Sequence, residues 1–210
     1  GDHAKMPDGI TCDLDFTIEG MIPDKSGLGN HATLTGDIQT YIDEHGFICK
    51  RKTSTGKIEV PWSPSWLHGH MAIEIIFKLP SNTPTGRLVN REESFRILAN
   101  STKKPAGMFK TTTINWGNTI NGYSNIADDN IHQAILNFDG VADRLYLDGI
   151  GETGVVDTGS VSLAEIQWKQ IWIFEDVIGN VYAFRLYDHG LSTEEINNLA
   201  KIFKNTYRDG

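Results

Sequence analysis

The chain has 210 residues, with 27 acidic against 19 basic side chains and a formal net charge of −8. That balance argues against nucleic acid and anionic lipid as partners, because both demand a basic surface that releases counterions. The length suits one all-β domain whose core needs no disulfide staple, and no apolar run approaches the ~20 residues of a membrane span.

The polar lead 1–9 reads as a tether to a single domain within 1–210. In 10–18, Ile10, Cys12, Leu14, Phe16 and Ile18 alternate with Thr11, Asp13, Asp15 and Thr17, which is the period-two pattern of a half-buried strand. Segment 24–36, DKSGLGNHATLTG, is a long loop dense in Gly, Ser, Asn and Asp. Segments 47–52 and 57–60 read as short strands about a polar turn. Segment 61–70, PWSPSWLHGH, is a loop with two tryptophans and two histidines.

A strong strand follows at 71–79. Met71, Ile73, Ile75, Phe77 and Leu79 mark one face, Ala72 and Ile76 the other, so the strand is expected at the centre of a sheet. Further strands are expected at 87–90, 94–99, 107–115 and 119–123. Residues 131–149 form two strands of a meander. Ala134, Leu136 and Phe138 alternate with Ile135 and Asn137, and Leu145 and Leu147 flank Tyr146. Asp139-Gly140 and Asp148-Gly149 supply the positive-φ positions that tight turns need. Strands at 154–161, 165–174 and 181–187 close the β run.

One segment is helical by pattern. Ser192-Thr193-Glu194-Glu195 is a capping box, and Ile196, Leu199, Ile202 and Phe203 then repeat at helical spacing. Cys12 and Cys49 each fall on the apolar phase of a strand. That phase favours two buried free thiols, with a disulfide in an exported protein as the alternative. Short strands, Gly-rich turns and one late helix together imply an all-β, antiparallel two-sheet β-sandwich of jelly-roll type with one short C-terminal helix.

Three stretches in order, DKSGLGNHATLTG, LNFDGVADRLYLDGIGETG and YAFRLYDHGLSTEEINNLA, resemble the laminin-G-like branch of the concanavalin A-like lectin/glucanase superfamily. The resemblance implies a concanavalin A-like jelly roll whose relatives bind carbohydrate on a concave face or its rim loops, or serve as spacer and adhesion modules. It also implies a structural calcium at the first of these loops, held by Asp24, Asn30 and the carbonyls of Gly27 and Gly29. The chain departs from the family in having Tyr182-Ala183 where an acidic residue is usual, with Glu175 or Asp176 as substitutes. The alternative for Asp24 is a plain turn residue.

The glucanase branch carries Glu-x-Asp-x-x-Glu on one strand face. The nearest approach here, Asp13-Leu14-Asp15 with Glu19 beyond, lacks the leading glutamate. No nucleophile elbow, Walker loop or His-Glu-x-x-His occurs, and His68-x-His70 lacks a third zinc ligand nearby. Sugar sites stack pyranose rings on aromatic faces and read hydroxyls with amides, carboxylates and guanidinium groups. The candidate ligand-binding residues are therefore Trp62 and Trp66, Trp116 and Tyr123 with Asn115, and Arg96. Loop anchoring is the alternative for Trp62 and Trp66. Trp168 and Trp172 share a phase that favours core packing.

These readings converge on a non-catalytic, lectin-like module of a secreted or cell-surface protein. Its expected partner is a glycan or polysaccharide, and attachment to other domains is one option beside a domain that acts alone. A structural or adhesion domain is the alternative, and a glycoside hydrolase ranks last.

Overall fold

The computed structural model describes residues 3–114, 119–152, 154–161 and 169–208. In chain order the strands are β1 (Ile10–Leu14), β2 (Thr33–Ile42), β3 (Ile48–Val60), β4 (Met71–Lys78), β5 (Gly86–Arg91), β6 (Phe95–Ala99) and β7 (Pro105–Phe109). They continue as β8 (Ile120–Asn121), β9 (Ile131–Phe138), β10 (Ala142–Leu147), β11 (Ile150–Gly151), β12 (Val155–Val156), β13 (Ile171–Ile173) and β14 (Gly179–Tyr187). Helix α1 (Thr193–Tyr207) follows.

All strands join one hydrogen-bonded path, β11-β10-β9-β4-β14-β3-β13-β5-β6-β7-β8, with β1 on β14, β12 on β10 and β2 on β3. Every pairing is antiparallel. This path curls back on itself, so that β7 comes to lie against β9. The ring of Phe109 in β7 lies 5.6 Å from that of Phe138 in β9. Gly107 in β7 comes so close to β9 that a Cβ there would stand 2.8 Å from the Leu136 side chain.

The strand predicted at 71–79 is central, as its two apolar phases require: β4 is buried along its whole length between β9 and β14. Met71, Ile73, Ile75 and Phe77 meet Leu136, Phe138 and Phe184 in the main core. Ala72 packs the other way, with Ile135, Tyr187, Leu191, Ile196 and Leu199 under α1. The capping box forms as expected: Ser192 Oγ accepts from the Glu195 N–H, and Glu195 Oε1 accepts from the Ser192 N–H.

Beneath α1 lies a row of buried polar groups. Glu74 Oε1 accepts from Arg185 Nη1 at 2.9 Å and Tyr187 Oη at 3.0 Å, and Oε2 accepts from Gln133 Nε2 at 2.7 Å. Arg185 Nε donates to Asp13 Oδ1 at 3.1 Å. Glu74, the single acid of the central strand, thus has both carboxylate oxygens hydrogen-bonded, as a buried carboxylate must, while Gln133 Oε1 in the same row is buried with no hydrogen-bond partner among the described residues. Nearer the chain start, Met6 packs against the same helical cluster.

Several expectations are corrected. The stretch read as two short strands, 47–52 and 57–60, is one thirteen-residue strand, β3, paired along its length with β2. Polar side chains on both faces hide its period, and Gly36 and Gly56 let the two backbones close. A Cβ on Gly36 would lie 2.6 Å from Gly56 Cα. Strand β1 stops at Leu14 because Asp15 Oδ1 turns back to accept the Thr17 N–H and hydroxyl. By contrast, the cysteines are free and buried as their apolar phase favoured, Cys12 in the main core and Cys49 in the cluster around Phe203. Trp172 is not core: Ile171 and Ile173 take the inward phase of β13 and turn Trp172 outward.

Candidate functional site

A cleft of about 740 Å³ opens at one end of the curled sheet. Its lining comes from five separated segments: His45 in the β2–β3 turn, Lys78 at the end of β4, the 124–130 loop leading into β9, the β10–β11 turn with Glu152, and the last turns of α1. Its floor is built by His132 at the start of β9 and Asp148 in the second Asp-Gly turn.

Asp148-Gly149 joins Leu147 to its partner Ile150 with positive φ at both turn residues, 54° and 84°. That is the two-residue turn anticipated for this dipeptide. The same turn delivers a carboxylate: Asp148 Oδ1 accepts the Gln133 N–H at 2.8 Å, and Oδ2 meets His132 Nδ1 at 2.8 Å. Arg208 Nη2, just beyond α1, donates to Asp148 Oδ2 at 2.9 Å. On the other side, His132 Nε2 lies 2.8 Å from Asp128 Oδ1.

Burial works against a charged His132, but Asp148 and Asp128 outweigh it and raise its pKa above the ordinary imidazole value. Burial likewise opposes ionisation of the two acids. Hydrogen bonds from Asn130 and His132 hold Asp128 low, and those from His132 and Gln133 hold Asp148 low. The floor is therefore an aspartate–imidazolium–aspartate bridge. Both ring nitrogens are engaged, so the imidazole has no nitrogen available as a base.

Above this floor, Ser124, Asn130, Glu152 and Lys204 offer hydroxyl, amide, carboxylate and ammonium groups to the cleft. One wall is Tyr207, edge-on to Phe47 at 5.0 Å and Tyr182 at 5.5 Å. A concave site with a few convergent polar groups and an aromatic wall is the usual form of a small-ligand pocket, and the volume falls within the ~300–1,000 Å³ common for such pockets. The sequence reading took Asp148 as a turn residue and assigned no role to 124–130. The missed signal was Asp128-Asp129-Asn130-Ile131-His132, where two acids precede a strand histidine at the spacing of a contact.

The residues expected to bind ligand are distributed differently. Trp66 is fully buried, donating Nε1–H to the Pro61 carbonyl at 2.9 Å, with Trp62 edge-on at 5.3 Å. The buried Arg91 guanidinium lies 5.4 Å from the Trp62 ring and 5.7 Å from the Trp66 ring. Trp66 thus anchors the loop and offers no open face, while Trp62 is half-buried. Arg96 lies on the outer sheet face in a cross-strand row that runs Glu59, Trp172, Asn90, Arg96. Its Nε donates to Asn90 Oδ1 at 3.0 Å, and Lys57 Nζ caps the Trp172 ring at 4.0 Å. Tyr123 is 72% exposed, one residue before the cleft-lining Ser124. Asn115, Trp116 and Trp168 lie outside the described residues.

The implied calcium loop does not fit an ion. Asp24 Oδ1 accepts the N–H groups of Asp13 and Ser26 at 2.8 and 2.9 Å; Oδ2 accepts Ser26 Oγ–H and the Asn30 N–H at 2.7 and 2.9 Å. Asn30 Nδ2 donates to the Thr11 carbonyl at 2.7 Å. Asp176, the acid considered as a substitute, is committed to Arg87 at 2.7 Å. With its acceptor positions already taken by protein donors, Asp24 closes a turn.

No protein-family model matches the chain, and no curated protein matches it. Among solved structures, the chain is similar to the binding domain of Paraclostridial Mosquitocidal Protein 1, with TM-score 0.74 and 13% identity over 94% of this chain and 53% of that one. It is similar to a botulinum neurotoxin type C structure, from a protein whose cell entry depends on two ganglioside molecules, with TM-score 0.71 and 14% identity over 93% and 51%. It also resembles domain 4 of AbnA, a GH43 extracellular arabinanase from Geobacillus stearothermophilus, in complex with arabinotriose, with TM-score 0.63 and 14% identity over 91% and 98%. The chain spans about half the length of the toxin chains and nearly all of the arabinanase domain. At these identities the likeness establishes the fold.

Proposed function

We propose that this chain is a non-catalytic carbohydrate-binding module and that the end cleft receives the sugar. The observation that carries the reading is the cleft's lining: amide, hydroxyl, carboxylate and ammonium groups beside Tyr207, over a charge-paired floor. Sugars present many hydroxyls and a C–H face, and this lining is suited to both. The ganglioside dependence of the type C neurotoxin and the arabinotriose on the arabinanase domain support the class of ligand. We read the curled sheet as a concanavalin A-like jelly roll of the laminin-G-like branch, placed outside the cell or on its surface, in keeping with an extracellular arabinanase neighbour. Among the described residues, no helix is long and apolar enough to cross a membrane.

Catalysis is not part of this reading. A glycosidase needs a carboxyl group held neutral as its acid. In the cleft, Asp128 and Asp148 are held ionised instead. A second reading, a protein-interaction domain, draws on Val141, Ile150 and Val156, which expose apolar side chains around strands β10 to β12.

A glycan array, followed by calorimetry with arabinotriose and a ganglioside oligosaccharide, tests the proposal. Wild-type protein is expected to bind, and Asn130→Ala with Glu152→Ala is expected to weaken binding at least about tenfold, the worth of one or two hydrogen bonds. Silence across the array would reject the glycan reading. Loss of binding in Trp62→Ala with none in the cleft variant would move the site to the Trp62 rim.

A further inference from the structure

Beside the end cleft lies a second hollow of about 180 Å³, lined in part by Arg51, Thr53 and Asn180. It shares Lys78 and Asp129 with the cleft, so the two hollows adjoin. Strand register shows how they are connected. Ile131 of β9 pairs with Lys78 of β4, Lys78 with Asn180 of β14, and Asn180 with Arg51 of β3. Cross-strand partners share a sheet face, so these four side chains form one row across the strands. Ile131 lines the cleft and Arg51 the outer hollow. They stand three strands apart, about 15 Å at the usual strand spacing. The 124–130 loop borders the passage, with the Asp129 N–H bonded to the Leu79 carbonyl at 3.1 Å.

Arg51 is held in one orientation at the far end of the row. Its guanidinium lies 3.6 Å from the Tyr41 ring centroid, and its Nε donates to Asn180 Oδ1 at 2.9 Å. Asn180 is itself buried, and its Nδ2 donates to Tyr182 Oη at 3.1 Å, which donates in turn to Asp43 Oδ2 at 2.7 Å. Among the described residues, the Arg51 Nη groups, the Thr53 hydroxyl and the Asp129 carboxylate make no hydrogen bond within the fold. A guanidinium whose plane and Nε are already fixed presents its remaining donors with little further ordering.

Building on the sugar-binding reading of the cleft, we propose that the ligand is a stretch of linear oligosaccharide. One unit occupies the cleft, the chain crosses the lip formed by Lys78 and Asp129, and a further unit is read in the outer hollow by the Arg51 Nη groups and the Thr53 hydroxyl. Arg51 donates to sugar oxygens, and Asp129 accepts from hydroxyls. One sugar ring does not reach from Ile131 to Arg51, so the outer contacts exist only for a chain of several units.

Calorimetry with arabinose, arabinotriose and arabinohexaose tests this, alongside the monomer, trimer and hexamer of the best linear glycan retained on the array. Wild-type protein is expected to bind a hexamer at least about tenfold more tightly than its monomer, through the added hydrogen bonds to a charged donor. Arg51→Gln is expected to cut that gain to about threefold or less while leaving affinity for the monomer unchanged. Thr53→Ala, at an exposed position that the fold does not use, is expected to lose part of the gain. Asn130→Ala with Glu152→Ala is expected to weaken short and long sugars alike. Binding with no dependence on length would overturn the extended site and leave the cleft reading standing. A length gain that survives in both Arg51→Gln and Thr53→Ala would overturn it too, by routing the chain elsewhere. Silence with every sugar would reject the cleft reading and this one together.

Discussion

A carboxylate on a β-strand ordinarily faces water, and the energetics of Asp143 follow from its facing inward. In the unfolded chain it titrates near 3.9. In the fold, burial and then the neighbouring Asp157 charge push its pKa up to about 8. Between those values the folded chain keeps a proton that the unfolded chain has released. Stability from this group therefore falls as pH rises through that window and levels off above about pH 8. Urea midpoints from pH 5 to 8.5 should decline for wild type relative to Asp143→Asn; parallel curves would show that the two acids are not coupled. The alternation of 142–147 already placed Asp143 on the phase of Leu145, so its burial was legible in the sequence. Its meeting with Asp157 was not, because that depends on how the 157–161 segment returns. The tryptophans divide for a similar local reason. Pro61 offers a carbonyl to the Trp66 indole, which lets that ring be buried with its N–H satisfied.

Helix α1 is held by its ends and by what it covers. The capping box was readable because all its parts lie within four residues. Losing the Ser192 hydroxyl should cost about 1 kcal/mol. The polar row beneath the helix should cost more to break. Arg185→Met leaves Glu74 buried and short of a cation, with an expected loss of about 3–5 kcal/mol, whereas a variant that also replaces Glu74 by Gln should recover part of it. Urea denaturation of the two single variants and the pair checks this; if Arg185→Met costs no more than Ser192→Ala, the network does not stabilise as its geometry implies. The β2–β3 hairpin shows where sequence patterning fails. Its partly exposed faces carry Thr, Lys, Arg and Gln on both phases, so no apolar alternation marks the strands. The cleft was hidden for another reason, since its residues come from five segments that only the closed sheet brings together.

At the level of the complete chain, one sheet path closes over one core, and close approach between its halves decides the closure. Gly107 is small because β7 passes against Leu136, and a Cβ there would overlap that side chain. The central strand, the Asp-Gly turns and the terminal helix were all legible because each is set by neighbours in sequence. The single continuous path was not, since it is set by pairings such as β13 with both β3 and β5. This closure leaves distinct surfaces for a partner: the end cleft, the Trp172–Arg96 row and the apolar side chains around β10 to β12. Amide chemical-shift mapping during titration with arabinotriose, a ganglioside oligosaccharide and any sugar bound on the array distinguishes them. Shifts gathered on Ser124, Asn125, Asn130, Glu152 and Lys204 are the predicted result; shifts confined to the Trp172–Arg96 row, or none with any of these sugars, would contradict it.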